Sequence, residues 1–382
     1  MQLFFKHAFV LSVLFVFVAC DSKSKQNNSA ISVEPDGQSL LTLPKITGQV
    51  EERVIHINPN EATSWNLSQI AETITPISLK SYKDFSKNGA QFYYLTNEYL
   101  FIVGRTAAIA QLDLSGKYIR TVYCDDFITG ITGDTDKKEI YICTKSKIIC
   151  YDYALKEKKT FSPQFDTYSI FCHQNKLWIS SVECEAGMDT TRQVHAGTLT
   201  YKISSLDRIT GTESILPFEL KQDFERVGVY QLATFSVYND QLVFSNEVNS
   251  TLYAIKNDSV YPFVRYEIEP AGDLKYDLSP LNRQGFTGKN LWIEYWMTNR
   301  STNNTVFNFQ SSIYLEDTKT GQSYNMHRVF YDDIYHTGDC YLKLFVNNQG
   351  HFIIFREASA LQKSTNLEIP TDASAIFIGK FK

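Results

Sequence analysis

The residues of this 382-residue chain that could carry chemistry are a few histidines, two Asp-Asp pairs and one aromatic run. The densest titratable cluster is HRVFYDDIYH, where His327, Asp332, Asp333 and His336 offer the nitrogen and oxygen donors that zinc accepts. Their spacing matches no zinc template, so the cluster reads as polar residues on a connection, and neither a metal nor a cofactor is expected. Glycan hydrolysis needs two carboxyl groups held at a set separation across the scissile bond. Asp125-Asp126 and Asp332-Asp333 are neighbours, and neighbouring side chains of an extended segment point apart, so both pairs read as turns or solvated loops. The chain contains no H-E-x-x-H, G-x-S-x-G, phosphate-loop or dinucleotide-binding pattern. Gly130-Ile131-Thr132-Gly133 lies between short strands and lacks the lysine of a phosphate loop, which leaves a turn.

Two segments have the composition of a binding surface. In NLWIEYWMTNR, residues 290–300, period-two alternation places Trp292 and Trp296 on one face, near Arg300. Flat apolar rings beside a directional polar group suit a sugar or a peptide, although packing inside a β-protein core uses the same residues. The stretch ECEAGMDTTRQVHAG, residues 183–197, is a polar excursion between two apolar strands and is the preferred contact element. Its candidate binding residues are Glu185, Asp189, Arg192 and His195, and a tolerated surface insertion is the competing reading. KEKK at 156–159 reads as a solvated hairpin rather than a polyanion site.

The elements that must position these residues are short strands. YLFIVGRTAAIAQLDLSGKYIRTVY, residues 99–123, alternates apolar and polar positions and turns at Ser115-Gly116, giving three antiparallel strands. The same unit returns at 139–163, at 176–209, at 241–268 and at 290–330, and a sixth copy combines CYLKLFVNN, HFIIFREA and the terminal AIFIGKF with the start of the body. Leu100, Ile140, Leu177, Leu242, Leu291 and Leu342 mark the first strands of the copies, at spacings of 40, 37, 65, 49 and 51 residues. Repeats of about 40 to 50 residues with four short strands are what a propeller blade requires. The expected fold is therefore all-β, a six-bladed β-propeller over residues 51–382 with short antiparallel blades, and a two-sheet sandwich is its main competitor. AIFIGKF at 375–381 has no following partner, so RVIHI at 53–57 and TPISL at 75–79 are expected to complete its sheet and close one blade from both chain ends. Helix is expected only around 67–73 and 357–362.

The start of the chain bears on its address. Residues 1–19 carry Lys6 and His7 ahead of a twelve-residue apolar run, too short to span a bilayer and sized for a secretory signal. Ala19 before Cys20 resembles the processing site of bacterial lipoproteins, in which the cysteine is acylated and becomes the new N-terminus. Cys20 is thus the expected lipidation site, and residues 20–50 the anchor, polar tether and lead-in. The formal charge of -5 gives no electrostatic reason to expect nucleic acid. The six remaining cysteines show no C-x-x-C spacing, so buried thiols and disulfides of an exported protein both stay open.

Particular segments carry a resemblance to a family. Ile109, Leu112, Asp113, Gly116 and Lys117 match a strand-and-turn motif, and Phe244, Asn246, Thr251, Leu252, Tyr253, Ile255 and Asp258 match a later one. Together with the leader they make the chain resemble the six-bladed β-propeller lipoproteins of gut Bacteroidetes, over about residues 51–382. Where that family often has a Gly-rich loop after the first motif, this chain has YCDDFITGITGDTDKKE. The resemblance implies an outer-membrane lipoprotein, periplasmic or surface-exposed. The functional expectation is a membrane-anchored, non-enzymatic binding or scaffold protein, associated with outer-membrane nutrient uptake, whose ligand is an envelope protein, glycan or peptide. The alternative is an extracellular glycan- or peptide-processing propeller enzyme.

Overall fold

The computed structural model describes residues 52–382, apart from 81–89, 105, 190–193, 227–232, 247–248, 273–274, 278–282, 301–305, 345–349 and most of 363–372. The leader, Cys20 and the tether lie outside the described residues.

Short strands pair antiparallel in sequence order to form the blades. Blade 1 is Ala90–Leu95, Tyr99–Gly104, Ala108–Asp113 and Tyr118–Tyr123. Blade 2 is Ile128–Asp134, Glu139–Thr144, Ile148–Asp152 and Glu157–Phe161, so Gly130-Ile131-Thr132-Gly133, expected as a turn, is part of its first strand, paired from Gly130↔Cys143 to Gly133↔Ile140. Blade 3 is Thr167–His173, Lys176–Asp189, Val194–Asp207 and Glu213–Arg226. Blade 4 is Ala233–Tyr238, Gln241–Asn246, Thr251–Lys256 and Ser259–Ile268. Blade 5 is built on Arg283–Thr287, Asn290–Arg300, Val306–Asp317 and Ser323–Asp332, with Lys275–Asp277 and Gly338–Tyr341 added. Blade 6 takes Lys343–Leu344, His351–Arg356 and Ala375–Phe381 from the C-terminal end and Ala71–Ser78 from the N-terminal end.

The hydrophobic clusters show why this pattern makes a ring. Each packs two neighbouring blades face to face: Phe101 and Ile109 against Ile142 and Tyr151, then Cys143 and Ile148 against Ile170 and Ile179, and onward around the circle. The last cluster joins Ile77, Ile353 and Ile376 of blade 6 to Leu100 and Leu112 of blade 1, which closes the circle. A strand packed on both faces reads as a continuous apolar run. This accounts for YLFIVG and EIYICT, buried at every position after the first. Five of the six marker residues sit in second strands; Leu342 does not, and Phe352 in His351–Arg356 holds the equivalent place. The marker failed there because CYLKLFV and HFIIF have the same apolar pattern and only pairing distinguishes them.

The turn between third and fourth strands is capped repeatedly by an aspartate. Asp113 Oδ1 accepts from the backbone N–H of Ser115 and Lys117, both at 2.9 Å. Asp152, Asp207 and Asp317 accept in the same way from Ala154, Ile209 and Lys319. Gly116, at φ +86°, follows this cap because a side chain there would meet the backbone of Ser78 on blade 6. The first family-like motif is thus the capped turn of blade 1.

The N-terminal lead-in runs along the outer edges of three blades. Arg53–Ile57 adds a parallel strand to blade 4, Thr63–Asn66 a parallel strand to blade 5, and Ala71–Ser78 supplies the outermost strand of blade 6. TPISL joins the C-terminal strand as expected, whereas RVIHI does not. The side chain that ties RVIHI down is Arg53, whose guanidinium donates to both carboxylate oxygens of the buried Glu316 on blade 5, at 2.6 and 2.7 Å. The only α-helical segments among the described residues are Leu67–Ile70 and Ala358–Leu361, near the two expected places.

Candidate functional site

Strand direction alternates within each blade, so the turns between first and second and between third and fourth strands share one face of the ring. The turns between second and third strands, and the connections between blades, lie on the other, here called the upper face. Most strands end flush with it; two blades do not.

In blade 3, Lys176–Asp189, Val194–Asp207 and Glu213–Arg226 are each fourteen residues long. Pairing runs unbroken from Lys176↔Asp207 at the lower end to Asp189↔Val194 at the upper end. The excess over a six-residue strand, at about 3.3 Å per residue, projects roughly 25 Å from the upper face. The polar excursion at 183–197 is therefore an extension of the blade's own strands and not a loop interrupting them. Its alternation explains this: Val182, Leu199, Tyr201 and Leu220 are buried in the cluster shared with Phe244 and Tyr253 of blade 4. Glu183 and Glu185 are exposed on the other side. Lys202 Nζ donates to Glu183 at 2.8 Å and lies 4.6 Å from the Phe165 ring centre, and Thr198 donates to Asp223 at 2.6 Å.

Blade 5 carries the second arm. Asn290–Arg300 pairs with Val306–Asp317 from Asn290↔Asp317 below to Arg300↔Val306 above, and Lys275–Asp277 flanks it through Asp277↔Trp296. Both arms rise from the same face, with only blade 4 between them. A polar knot joins blades 4 and 5 at that level. Gln284 Nε2 donates to the carbonyls of Asn246 (3.1 Å) and Asn249 (3.2 Å), Tyr266 OH donates to Gln284 Oε1, and Asn249 Nδ2 donates to Tyr253 OH at 2.7 Å. Burial pushes the Tyr253 phenol up to about 12.

The structure brings the two sequence-derived sets to one face and sorts their members. Glu185, Asp189 and His195 lie on the blade 3 arm, with Glu185 exposed; Arg192 lies outside the described residues. Arg300 ends its strand in the blade 5 arm. Trp292 is 1% exposed and packs with Leu315 and Met326 between blades 5 and 6, so it is a core residue. Trp296 is half-buried on the same strand face, toward the upper end.

Around Trp296 are residues that sequence reasoning missed. Arg328 lies with its guanidinium carbon 5.4 Å from the Trp296 ring centre, and its Nε is 2.7 Å from Glu294 Oε1. Glu294 is 4% exposed, on the strand face between the two tryptophans. A glutamate at an inward position of an otherwise apolar strand was the available signal.

Of the remaining sequence candidates, Asp332 and Asp333 are structural. Asp332 is buried and accepts from the backbone N–H of Ile334 (3.1 Å), Tyr335 (3.0 Å) and Thr337 (3.3 Å), while Asp333 accepts from Ser68 N at 2.9 Å and Ser68 Oγ at 2.5 Å. Both carboxylates thus hold the connection after blade 5 in place, and His336 is exposed at φ +56°. Among the described residues, no three His, Cys, Asp or Glu side chains converge as metal ligands would. On the lower face, Arg208 donates to Asp134 Oδ2 at 2.6 Å and to the Gln174 carbonyl at 2.8 Å, bridging blades 2 and 3. Burial would raise the Asp134 carboxyl, but the Arg208 guanidinium and the Lys137 and Asp136 N–H groups outweigh it and hold it low.

The six cysteines of the body are all thiols. Burial pushes Cys143 and Cys340 up to about 12 and Cys150 up to about 11. Thiolate is the reacting species, so these three should resist a disulfide reagent at pH 8 in the native body, and all six should react once it is denatured. A thiol count by absorbance checks both, and fewer than six in denaturant would reveal a disulfide.

No protein-family model and no curated protein sequence matches the chain. Solved structures do. A Bacteroides fragilis protein described as exported aligns over 86% of this chain and 99% of its own, at TM-score 0.55 and 12% identity. BamB from Moraxella catarrhalis aligns over 81% of this chain and 99% of its own, at TM-score 0.40 and 9% identity, and hydrazine synthase from Kuenenia stuttgartiensis over 77% and 87%, at 0.42 and 10%. At such identities the likeness to the Bacteroides protein is one of fold alone, and the chain is a six-bladed β-propeller.

Proposed function

We propose that this chain is a non-catalytic binding protein, anchored through acylated Cys20 to the bacterial outer membrane, that presents the upper face of its ring to an extracellular partner. The observation that carries the reading is the pair of β-arms on blades 3 and 5, rising from one face on either side of blade 4. Strand pairing and a buried apolar side make such arms stiff, and stiff projections lose little entropy on binding. The fold alone does not decide activity. Support for binding comes from Asp332 and Asp333, the carboxylate pair of the densest titratable cluster, which are taken up by backbone N–H groups and by Ser68. The leader supports the address, and the partner classes are an envelope protein, a glycan or a peptide, with nutrient uptake the process implied by the family resemblance.

The test uses the soluble body, residues 51–382, against envelope proteins, host glycans and peptides. We expect binding without turnover, weakened by about tenfold or more when residues 183–197 are replaced by a two-residue turn with melting unchanged. Turnover of any panel member would overturn the non-catalytic reading. For the anchor, intact mass of membrane-purified protein should show acyl chains on Cys20, and Cys20→Ser should release the chain; a mature protein starting elsewhere would contradict it.

A further inference from the structure

The outer rim of the ring is a circle of strand edges, and most of them are blunted. The lead-in covers those of blades 4 and 5 with strands of only five and four residues. The outermost strand of blade 6 contains Glu72 and Pro76, that of blade 3 contains Pro217, and that of blade 2 reads EKKTF with Lys158 and Lys159 exposed. Short strands, prolines and lysines are the devices that keep sheet edges from pairing with other chains. Blade 1 is protected by neither proline nor lysine. Its outermost strand, Tyr118–Tyr123, pairs only with Ala108–Asp113 among the described residues, and none of its six residues is buried. Of the nine large hydrophobic side chains exposed among the described residues, four lie in this one hairpin, Leu114, Tyr118, Ile119 and Tyr123, the last 65% exposed. Cys124 N donates to Ala107 O at 2.9 Å, and backbone groups alternate along a strand, so Val122 and Arg120 turn theirs into the blade while Thr121 and Tyr123 turn theirs out. Ile119 sits at a register shift and has no partner within the blade.

We propose that this strand is a self-pairing edge, through which two copies of the chain join their first blades into one continuous antiparallel sheet. Charge selects the occupant. The one charged side chain of the strand, Arg120, points to blade 2, where it donates to the Ala154 carbonyl at 2.7 Å, and Val122 packs on the same side. The other face, Ile119, Thr121 and Tyr123, is uncharged, so it matches an uncharged strand of β-branched and aromatic residues. The strand itself is one. In an antiparallel copy centred on Thr121, Ile119 lies opposite Tyr123 on both sides of the two-fold axis, Thr121 lies opposite Thr121, and Arg120 lies opposite Val122. Aromatic with β-branched and Thr with Thr are pairs that stabilise a sheet, and no like charges meet. The same operation on the blade 2 strand would set Lys159 opposite itself. One strand from each copy buries less than a standard interface, so the dimer is reversible at micromolar concentration. Blade 1 stands across the ring from blade 4, so the contact leaves both arms clear, and a dimer presents two pairs of them.

Sedimentation velocity of the soluble body at micromolar to submillimolar concentration reads the association. The expected result is a reversible monomer–dimer equilibrium with no larger species, because a two-fold contact closes on itself. Thr121→Lys, which brings like charges together on the axis, should move the midpoint to a concentration about tenfold higher or more at an unchanged melting temperature. A pair of double variants tests the register independently of fold effects. Ile119→Lys with Tyr123→Lys should abolish the dimer, whereas Ile119→Lys with Tyr123→Glu sets opposite charges across the axis and should retain it. Under mild oxidation Thr121→Cys should be captured as a disulfide-linked dimer, and Lys158→Cys on blade 2 should not exceed the parent. The body with the blade 3 arm shortened should dimerise as the parent does, which separates this contact from the upper face. A body that stays monomeric throughout, a dimer indifferent to Thr121→Lys and to the double variants, or equal capture at Lys158→Cys would overturn the assignment.

Discussion

Removing Ala375–Lys382 should abolish the cooperative thermal transition of the body. Ala375–Phe381 is an inner strand of blade 6, paired to His351–Arg356 on one side and to Ala71–Ser78 on the other. Its loss leaves two edges open and frees the only strand that binds the N-terminal chain to the ring at that point. Phe377 and Phe381 also belong to the core between blades 5 and 6, and Ile376 and Ile378 to the core between blades 6 and 1. Four such side chains at about 2 kcal/mol each sum to the order of the whole stability of a domain. The strand also has a close fit: Gly379 leaves room for the Phe352 ring, which any Cβ there would strike. Calorimetry and solubility read the result. A truncated protein with the parent transition would mean that the ring is held closed by something other than this shared sheet.

The second large effect is expected at Arg208, which is 7% exposed and has its guanidinium between Asp134, Gln174 and the Tyr141 ring. Arg208→Met removes the cation and leaves Asp134, on a side chain only 15% exposed, without its counter-charge. Breaking such a pair from one side costs about 3 kcal/mol or more, measurable by denaturant unfolding. The double variant with Asp134→Leu should lose less than the two single losses combined. The pH dependence gives an independent sign. The folded Asp134 carboxyl lies below its ordinary 3.8, so its contribution is present above that value and is lost as pH falls through the depressed one. In Arg208→Met this acid loss should be diminished. An Arg208→Met protein as stable as the parent would show that blades 2 and 3 are held by their apolar cluster alone.

The blade count was legible because the repeating unit is written locally. Leu112-Asp113 and Gly116-Lys117 encode a strand end, its cap and a turn that needs positive φ, all within six residues. The path of the lead-in was not legible. RVIHI suits any sheet edge, and its choice of blade 4 depends on Arg53 meeting Glu316, which is 263 residues away in sequence. The blade 3 arm was misread because glycines and charges at 183–197 suggested a loop, although Val182 and Cys184 opposite Leu199 and Tyr201 already alternate as a strand does. In the candidate site, Trp296 was legible as an aromatic on a strand face. Arg328 was not, since the pairing of the blade 5 strands alone brings it beside that ring.

The upper face is tested most directly by hydrogen exchange of the soluble body, alone and with whichever panel partner binds it. Protection should concentrate in Lys176–Asp189, Val194–Asp207, Asn290–Arg300 and Val306–Asp317, strongest toward their upper ends. The capped turns of the lower face, after Asp113, Asp152, Asp207 and Asp317, should exchange at unchanged rates. Protection of those lower turns with the two arms unaffected would contradict the assignment of the upper face as the binding surface.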